Sequence, residues 1–200
     1  MSDYTLYGGA RSRAMRVLWL LEELGADYEV VAAPPRSDEV RAINPTGKVP
    51  VLVTEGVAIP DSVAIMTYLS DKHAAFTAAP GTIARAFQDA FVQQVNDEID
   101  GLLWTAARHS FILPEDRRVE AIKDSLRWEF ARNQGAVSAR MDPDGPFVAG
   151  AQMSIADILL AHCIGWAGNA RFEVTDPRLV AHNAMMRERP AFKRALAAGS

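Results

Sequence analysis

The chain is poor in the residues that build disulfides and metal centres. It holds one cysteine, Cys163, among 200 residues, which excludes an internal disulfide, a paired redox motif and any cysteine-rich zinc site. Its four histidines, His73, His109, His162 and His182, are scattered without zinc-ligand spacing, so no metal is expected. No apolar run reaches the roughly 18 residues that a membrane span requires. The opening MSDYTLYGG carries an early acid and neither a basic nor an apolar leader segment, which predicts no secretion and a cytoplasmic location. A surplus of positive charge is missing too. Lys plus Arg number 21 against 25 Asp plus Glu, a formal net charge of -4, so nothing electrostatic favours a nucleic acid or an anionic membrane as partner.

What is present is ordinary globular material, 49% apolar and 23% charged, in a length between one and two typical domains. The pattern changes near residue 75. Before it, short β-rich runs alternate with helical ones. Thr5–Tyr7 predicts a strand stopped by Gly8-Gly9, Arg13–Leu24 a helix with Gly25 as its C-cap, and Tyr28–Ala32 a second strand. Arg16, Glu22 and Glu23 mark the solvent side of that helix. A short helix at Asp38–Ile43 is followed by a hairpin, Val51–Thr54 and Val57–Ile59 across Glu55-Gly56, and by a helix at Val63–Lys72 capped by Asp61 or Ser62. The order is β-α-β-α-β-β-α.

Residues 76–82 read as a linker, and from residue 83 to 200 the chain reads all-helical. Phe87, Phe91, Val95, Ile99, Leu102 and Ala106 recur at helical spacing from Ile83 to about Ser110. A second long helix is predicted from about Glu115 to Met141, marked by Val119, Ile122, Leu126 and Phe130. Ser154 to Asp157 resembles a capping box ahead of a helix, Ile155–Ala167, that is apolar almost all round and therefore belongs in a core. Shorter helices at Pro177–Arg187 and Ala191–Ala197 finish the chain. Taken alone, Cys163 reads as a core thiol, Asp97 and Asp100 as solvated helix positions, and the tryptophans as packing residues.

The run Asn44-Pro45-Thr46-Gly47-Lys48-Val49-Pro50-Val51-Leu52, followed by Asp61-Ser62-Val63-Ala64-Ile65 and Tyr68-Leu69, resembles the glutathione transferase family. Gly150, the Ser154-to-Ile158 cap and Arg189-Pro190-Ala191-Phe192 extend the resemblance over nearly the whole chain. It implies an N-terminal thioredoxin-like domain at 1–75, an all-helical C-terminal domain at 83–200, glutathione as co-substrate and a homodimer. It also implies a cis bond before Pro50, the one residue type that tolerates it readily. Val49 would then pair with the cysteinyl backbone of glutathione. Asp61 and Ser62, at a helix N-terminus, would meet its γ-glutamyl end, and Lys48 its glycyl carboxylate.

A thiol with a pKa near 8.5 must be stabilised as thiolate to react at neutral pH. Ser12 stands four residues before Arg16, the spacing of the serine-using classes of that family, and is the candidate donor. Tyr7, at the end of the first strand, is the runner-up. The electrophile is expected between the domains, with Trp104, Arg108 and His109 as candidates and Phe111 and Trp166 behind them. Asp97 or Asp100 is a candidate for reaching the partner subunit's ligand. The expected reaction is addition or displacement by the glutathione sulfur on a small, mostly apolar or aromatic electrophile. A glutathione-dependent isomerase, dehalogenase or peroxide reductase, and a non-catalytic glutathione-binding or stress-response protein, stay open as alternatives.

Overall fold

The computed structural model describes residues 2–199. The first strand β1 (Tyr4–Tyr7), helix α1 (Ala14–Leu24) and strand β2 (Tyr28–Val31) open the chain. A short α2 (Asp38–Ile43), β3 (Val51–Thr54), β4 (Val57–Pro60) and α3 (Ser62–His73) complete the predicted order. The sheet runs β2-β1-β3-β4. The strand β1 is parallel to β2, with Leu6 opposite Val30, and antiparallel to β3, with Leu6 opposite Leu52. Glu55 and Gly56 both have positive φ, 52° and 76°, the backbone that a two-residue hairpin demands. This is an N-terminal thioredoxin-like domain followed by an all-helical one, as the resemblance implies, and the element order is the one the residue pattern predicts.

The helix α1 lies in the core of this part, with Val17, Leu18, Trp19, Leu20 and Leu21 fully buried. Gly25 ends it in the left-handed region at φ 63°, its amide bonding back to Glu22 and Leu21 carbonyls. Arg16 departs from the expected solvent side: only 1% of it is exposed. A helix buried almost all round has no solvent stripe at that point, and the guanidinium is satisfied internally, in part by Ser62.

By packing, the residues up to Thr77 form one compact unit that also takes in the segment from Arg187 onward; Ala78–Met186 forms a second. The last helix, α9 (Pro190–Ala198), thus groups with the sheet, whereas the sequence reading continued the helical domain to residue 200. Its attachments explain this. The Trp19 and Phe192 rings meet edge-on at 4.8 Å, Arg189 binds Glu23 at 2.5 and 2.7 Å, and Arg194 binds Glu22 at 2.6 Å. None of these partners is near α9 in sequence.

In the second unit the chain runs helically from Ile83 to Ile112: α4 (Ile83–Val95), a π-turn at Asn96–Asp100, α5 (Gly101–Ala107) and a second π-turn at Arg108–Ile112. The expected second long helix starts later than predicted. Glu115–Arg117 is a single 3-10 turn, and α6 spans Ile122–Ala139. The residues between are held out of helix partly by His109, whose Nδ1 accepts from the Val119 amide at 3.0 Å. Val119 is exposed, as is Phe87 on α4, although both belong to the apolar pattern that marked their helices. The next helix, α7 (Ile155–Asn169), is buried on nearly every side, and α8 (Pro177–Arg187) follows. The predicted capping box is complete: Asp157 accepts from the Ser154 amide at 2.8 Å, and Ser154 Oγ from the Ala156 amide at 3.3 Å. Cys163 is fully buried. Asp100 is buried as well, contrary to a solvated position, with Cys163 Sγ 3.7 Å from its Oδ2.

Candidate functional site

Three segments far apart in sequence converge in the sheet unit: the loop after β1, the Lys48–Pro50 turn and the first turn of α3. Gly8 lies between the first two. A Cβ placed on it would stand 3.0 Å from the Cβ atoms of both Ala14 and Val49, so a side chain there would press both aside, and its φ of 119° is one that other residues rarely adopt. The Val49–Pro50 peptide is cis. Asn44, itself buried, braces this turn by donating through Nδ2 to the Lys48 carbonyl at 2.9 Å. Lys48 is exposed, Val49 half-buried and Pro50 buried.

At the start of α3, Asp61 has φ 76° and ψ 128°, an uncommon conformation for a residue with a side chain. Such strain persists only where the surroundings enforce it, and it gathers at functional sites. One carboxylate oxygen, Oδ1, accepts from the amides of Val63 at 2.9 Å and Ala64 at 3.0 Å. That makes Asp61 the cap, and leaves Oδ2 and the Ser62 hydroxyl for other work. Ser62 is buried, and its Oγ accepts from Arg16 Nη1 at 3.2 Å. A hydroxyl can accept and donate at once, so its own hydrogen remains available.

The Ser12 hydroxyl donates to the Gly9 carbonyl at 2.9 Å and accepts from the Ala14 amide at 3.1 Å. It therefore caps the start of α1 and needs one bond rotation to donate elsewhere. Tyr7 sits within β1, paired with Val31 and Val51, and is half-buried. Gly9 and Ala10, just before Ser12, pack against the end of α9, where the Gly199 carbonyl accepts from the Ala10 amide at 2.9 Å.

The candidates of the second unit do not all gather. A cavity of about 390 Å³ there is lined by Trp166 and Phe111, but not by Trp104, Arg108 or His109. Arg108 is exposed, Trp104 half-buried, and His109 is engaged with Val119. The cavity is instead completed by Lys123, Arg127, Arg171 and Phe172, which pattern reading passed over. These come from two separate stretches, and nothing periodic joins them. Arg16 had one visible signal, a cation set inside the apolar run from Met15 to Leu21. Among the described residues no group of three or more His, Cys, Asp or Glu side chains is placed to hold a metal ion. Among them too, no helix is long and apolar enough to cross a membrane.

The chain is similar to known proteins over most of its length. Residues 6–77 match the family model described as "Glutathione S-transferase, N-terminal domain". A Triticum aestivum protein, "Glutathione S-transferase", is 30% identical over 201 residues, covering 96% of this chain and 92% of its own. The Drosophila melanogaster protein described as "Probable maleylacetoacetate isomerase 1" is 25% identical, covering 95% of this chain and 78% of its own. Among solved structures, the theta class glutathione S-transferase of Xanthomonas axonopodis pv. citri, with glutathione bound, is 25% identical. It superposes with a TM-score of 0.77 over 98% of each chain.

Proposed function

The chain belongs to the glutathione S-transferase family, and from that premise we propose that it joins the thiolate of glutathione to small electrophiles, mostly apolar or aromatic. The observation that carries this reading is the state of the α3 N-terminus. The Ser62 hydroxyl, held by Arg16, keeps its hydrogen for a carboxylate, and Asp61 Oδ2 is left for an ammonium. A free amino acid end, the γ-glutamyl group, matches that pair, with the positive end of the helix adding to carboxylate binding. The Val49 N–H and C=O address the cysteinyl backbone, and Lys48 the glycyl carboxylate. The bound sulfur then meets Ser12, whose hydroxyl turns from the Gly9 carbonyl to donate to the thiolate; Tyr7 is the alternative donor.

Trp104, Arg108, His109 and Trp166 are the proposed contacts for the electrophile. The enzyme contributes orientation and thiolate stabilisation rather than a protein-borne nucleophile. In this reading the protein is a cytoplasmic homodimer. Ile83 and Phe87, one helical turn apart on α4 and 74% and 69% exposed, supply apolar surface for such an interface. Calorimetry with glutathione tests the core claim: one site is expected, weakened by Asp61→Ala and Ser62→Ala, and no binding at millimolar glutathione overturns it.

The similarity to the Drosophila melanogaster protein favours one second reading, glutathione-dependent isomerisation. The stoichiometry separates the two. A transferase consumes one glutathione per product, whereas an isomerase returns it, so free thiol measured over the reaction decides between them.

A further inference from the structure

A helix leaves carbonyls at its C-terminal end that no amide of its own can reach, and α9 uses one of them on the loop that carries Ser12. The helix runs antiparallel to α1. Its start is anchored beside the last turn of α1, where Arg189 binds Glu23, Arg194 binds Glu22 and the Phe192 ring meets Trp19 edge-on. Its end lies near the start of α1. There the Gly199 amide donates to the Ala195 carbonyl at 3.1 Å, closing the helix, and the Gly199 carbonyl accepts from the Ala10 amide at 2.9 Å.

The approach leaves no room for a side chain on Gly199. A Cβ there would stand 2.6 Å from Leu18 Cδ1 and 2.8 Å from both the Cβ and the amide nitrogen of Ala10. Distances that short force something to move, and the neighbours are backbone and a fully buried leucine. A Cβ on Gly9 would in turn stand 3.1 Å from the Gly199 carbonyl oxygen.

What this contact fixes is one peptide plane. The Ala10 N–H and the Gly9 C=O belong to the same planar unit and, in the trans form, point in opposite directions. The N–H side is held by Gly199. The C=O side accepts from the Ser12 amide at 3.1 Å and from the Ser12 hydroxyl at 2.9 Å. Hydrogen bonds in series polarise one another, and a plane pinned on one side is restrained on the other. When the hydroxyl leaves the Gly9 carbonyl for another acceptor, the bond from the Ser12 amide keeps the backbone in place. Two successive glycines, Gly8 and Gly9, give this loop little stiffness of its own. Its restraint comes from outside: the Val31 carbonyl, which accepts from the Gly8 amide at 2.9 Å, and Gly199 on the α9 side.

We propose that Gly199 is a positioning residue for the thiolate, on the reading in which Ser12 is the donor: its carbonyl sets the Gly9–Ala10 peptide plane, and that plane sets where the Ser12 hydroxyl stands. The end of α9 is then part of the machinery that ionises glutathione without touching it.

Ultraviolet difference spectra across pH read the pKa of the bound glutathione thiol and so test this. Two variants remove the contact: Gly199→Ala, whose added methyl meets Ala10, and a chain ended after Ala195, which keeps Arg189, Phe192 and Arg194. Both are expected to raise the thiol part of the way towards its free value of about 8.5. Affinity for S-methylglutathione, which has no thiol to ionise, is expected to stay within about twofold by calorimetry. Arg194→Gln loosens α9 on the Glu22 side and is expected to lower the melting temperature without moving the thiol. In a Ser12→Ala background, Gly199→Ala is expected to add nothing, since a residue acting only through the hydroxyl has no effect once that is gone. An unmoved pKa in both α9 variants, an equal rise with Arg194→Gln, or a further rise in the Ser12→Ala background would each overturn the proposal and leave the conjugation reading standing. An unmoved pKa in Ser12→Ala itself would remove the donor assignment, and this role of Gly199 with it.

Discussion

Arg16 Nη1 donates to Ser62 Oγ at 3.2 Å, and both residues are buried. The bond joins α1 to the first turn of α3 across 46 positions of sequence, and it sets which way the serine hydroxyl can point. Arg16→Met keeps much of the side-chain volume but removes the donor. It is expected to weaken glutathione binding about tenfold, because the hydroxyl is no longer oriented. Calorimetry on the variant, with circular dichroism to confirm the fold, checks this; unaltered affinity would show that Ser62 needs no orienting.

The choice between Ser12 and Tyr7 is open to direct measurement. If Ser12 donates to the thiolate, Ser12→Ala raises the pKa of bound glutathione towards the free-thiol value of about 8.5. Turnover at neutral pH then falls about 10²–10³-fold, the usual cost of losing one donor to a developing anion. Tyr7→Phe should change neither. Ultraviolet difference spectra of the thiolate, taken across pH, read the shift, and a response to Tyr7→Phe alone would move the role to the tyrosine.

Much of this fold was legible in the residues, and the exceptions share a cause. The α2 helix, the β3 strand and the Ser154–Asp157 cap are set by neighbours a few positions away, so local pattern finds them. The Val49–Pro50 turn was legible through resemblance, since no local rule demands the cis form. Arg16 was misread because patterning counts an arginine as a solvent mark, and its partner Ser62 lies far along the chain. Asp100 was misread likewise: its burial against Cys163 depends on two helices meeting. The start of α6 shifted from about Glu115 to Ile122 because His109 takes the Val119 amide, a contact that spacing does not encode. Of the candidate site, the glycine loop, the Lys48–Pro50 turn and the first turn of α3 lie together in the sheet unit, joined by contacts such as Gly8 against Val49 and Arg16 to Ser62. The cationic side of the helical cavity was invisible, being assembled from α6 and the segment after α7.

Acid should loosen the attachment of α9. Burial alone would raise the Glu22 carboxyl, but hydrogen bonds from Tyr28 and Arg194, with the Arg194 charge, outweigh it and hold the pKa below the ordinary value. A carboxyl depressed in the folded state binds fewer protons there than when unfolded. Its stabilisation is therefore complete above the ordinary glutamate range and is lost as pH falls through the lowered folded value. Glu22→Gln should lower the melting temperature at neutral pH by a few degrees. The difference from the natural protein should shrink as pH drops below about 4. Thermal melts of both proteins across that interval give the comparison, and a gap that stays constant with pH would exclude this carboxylate as its source.

The Asp157 carboxylate accepts four hydrogen bonds, all of them buried. Its Oδ1 accepts from the Val148 amide at 2.7 Å and from His182 Nε2 at 2.9 Å. Its Oδ2 accepts from the Ser154 amide at 2.8 Å and Ser154 Oγ at 3.1 Å. One carboxylate thus ties the 142–154 loop, the start of α7 and α8 together. Asp157→Ala strands several buried donors at once, including an imidazole, and should cost about 3–5 kcal/mol of stability. Asp157→Asn preserves one accepting oxygen but presents an amide NH₂ to the other pair of donors, so it should fall between the two. Urea unfolding followed by tryptophan fluorescence measures the series. An Asn variant as stable as the natural protein would show that one oxygen carries the junction. A variant as weak as alanine would show that both oxygens are required together.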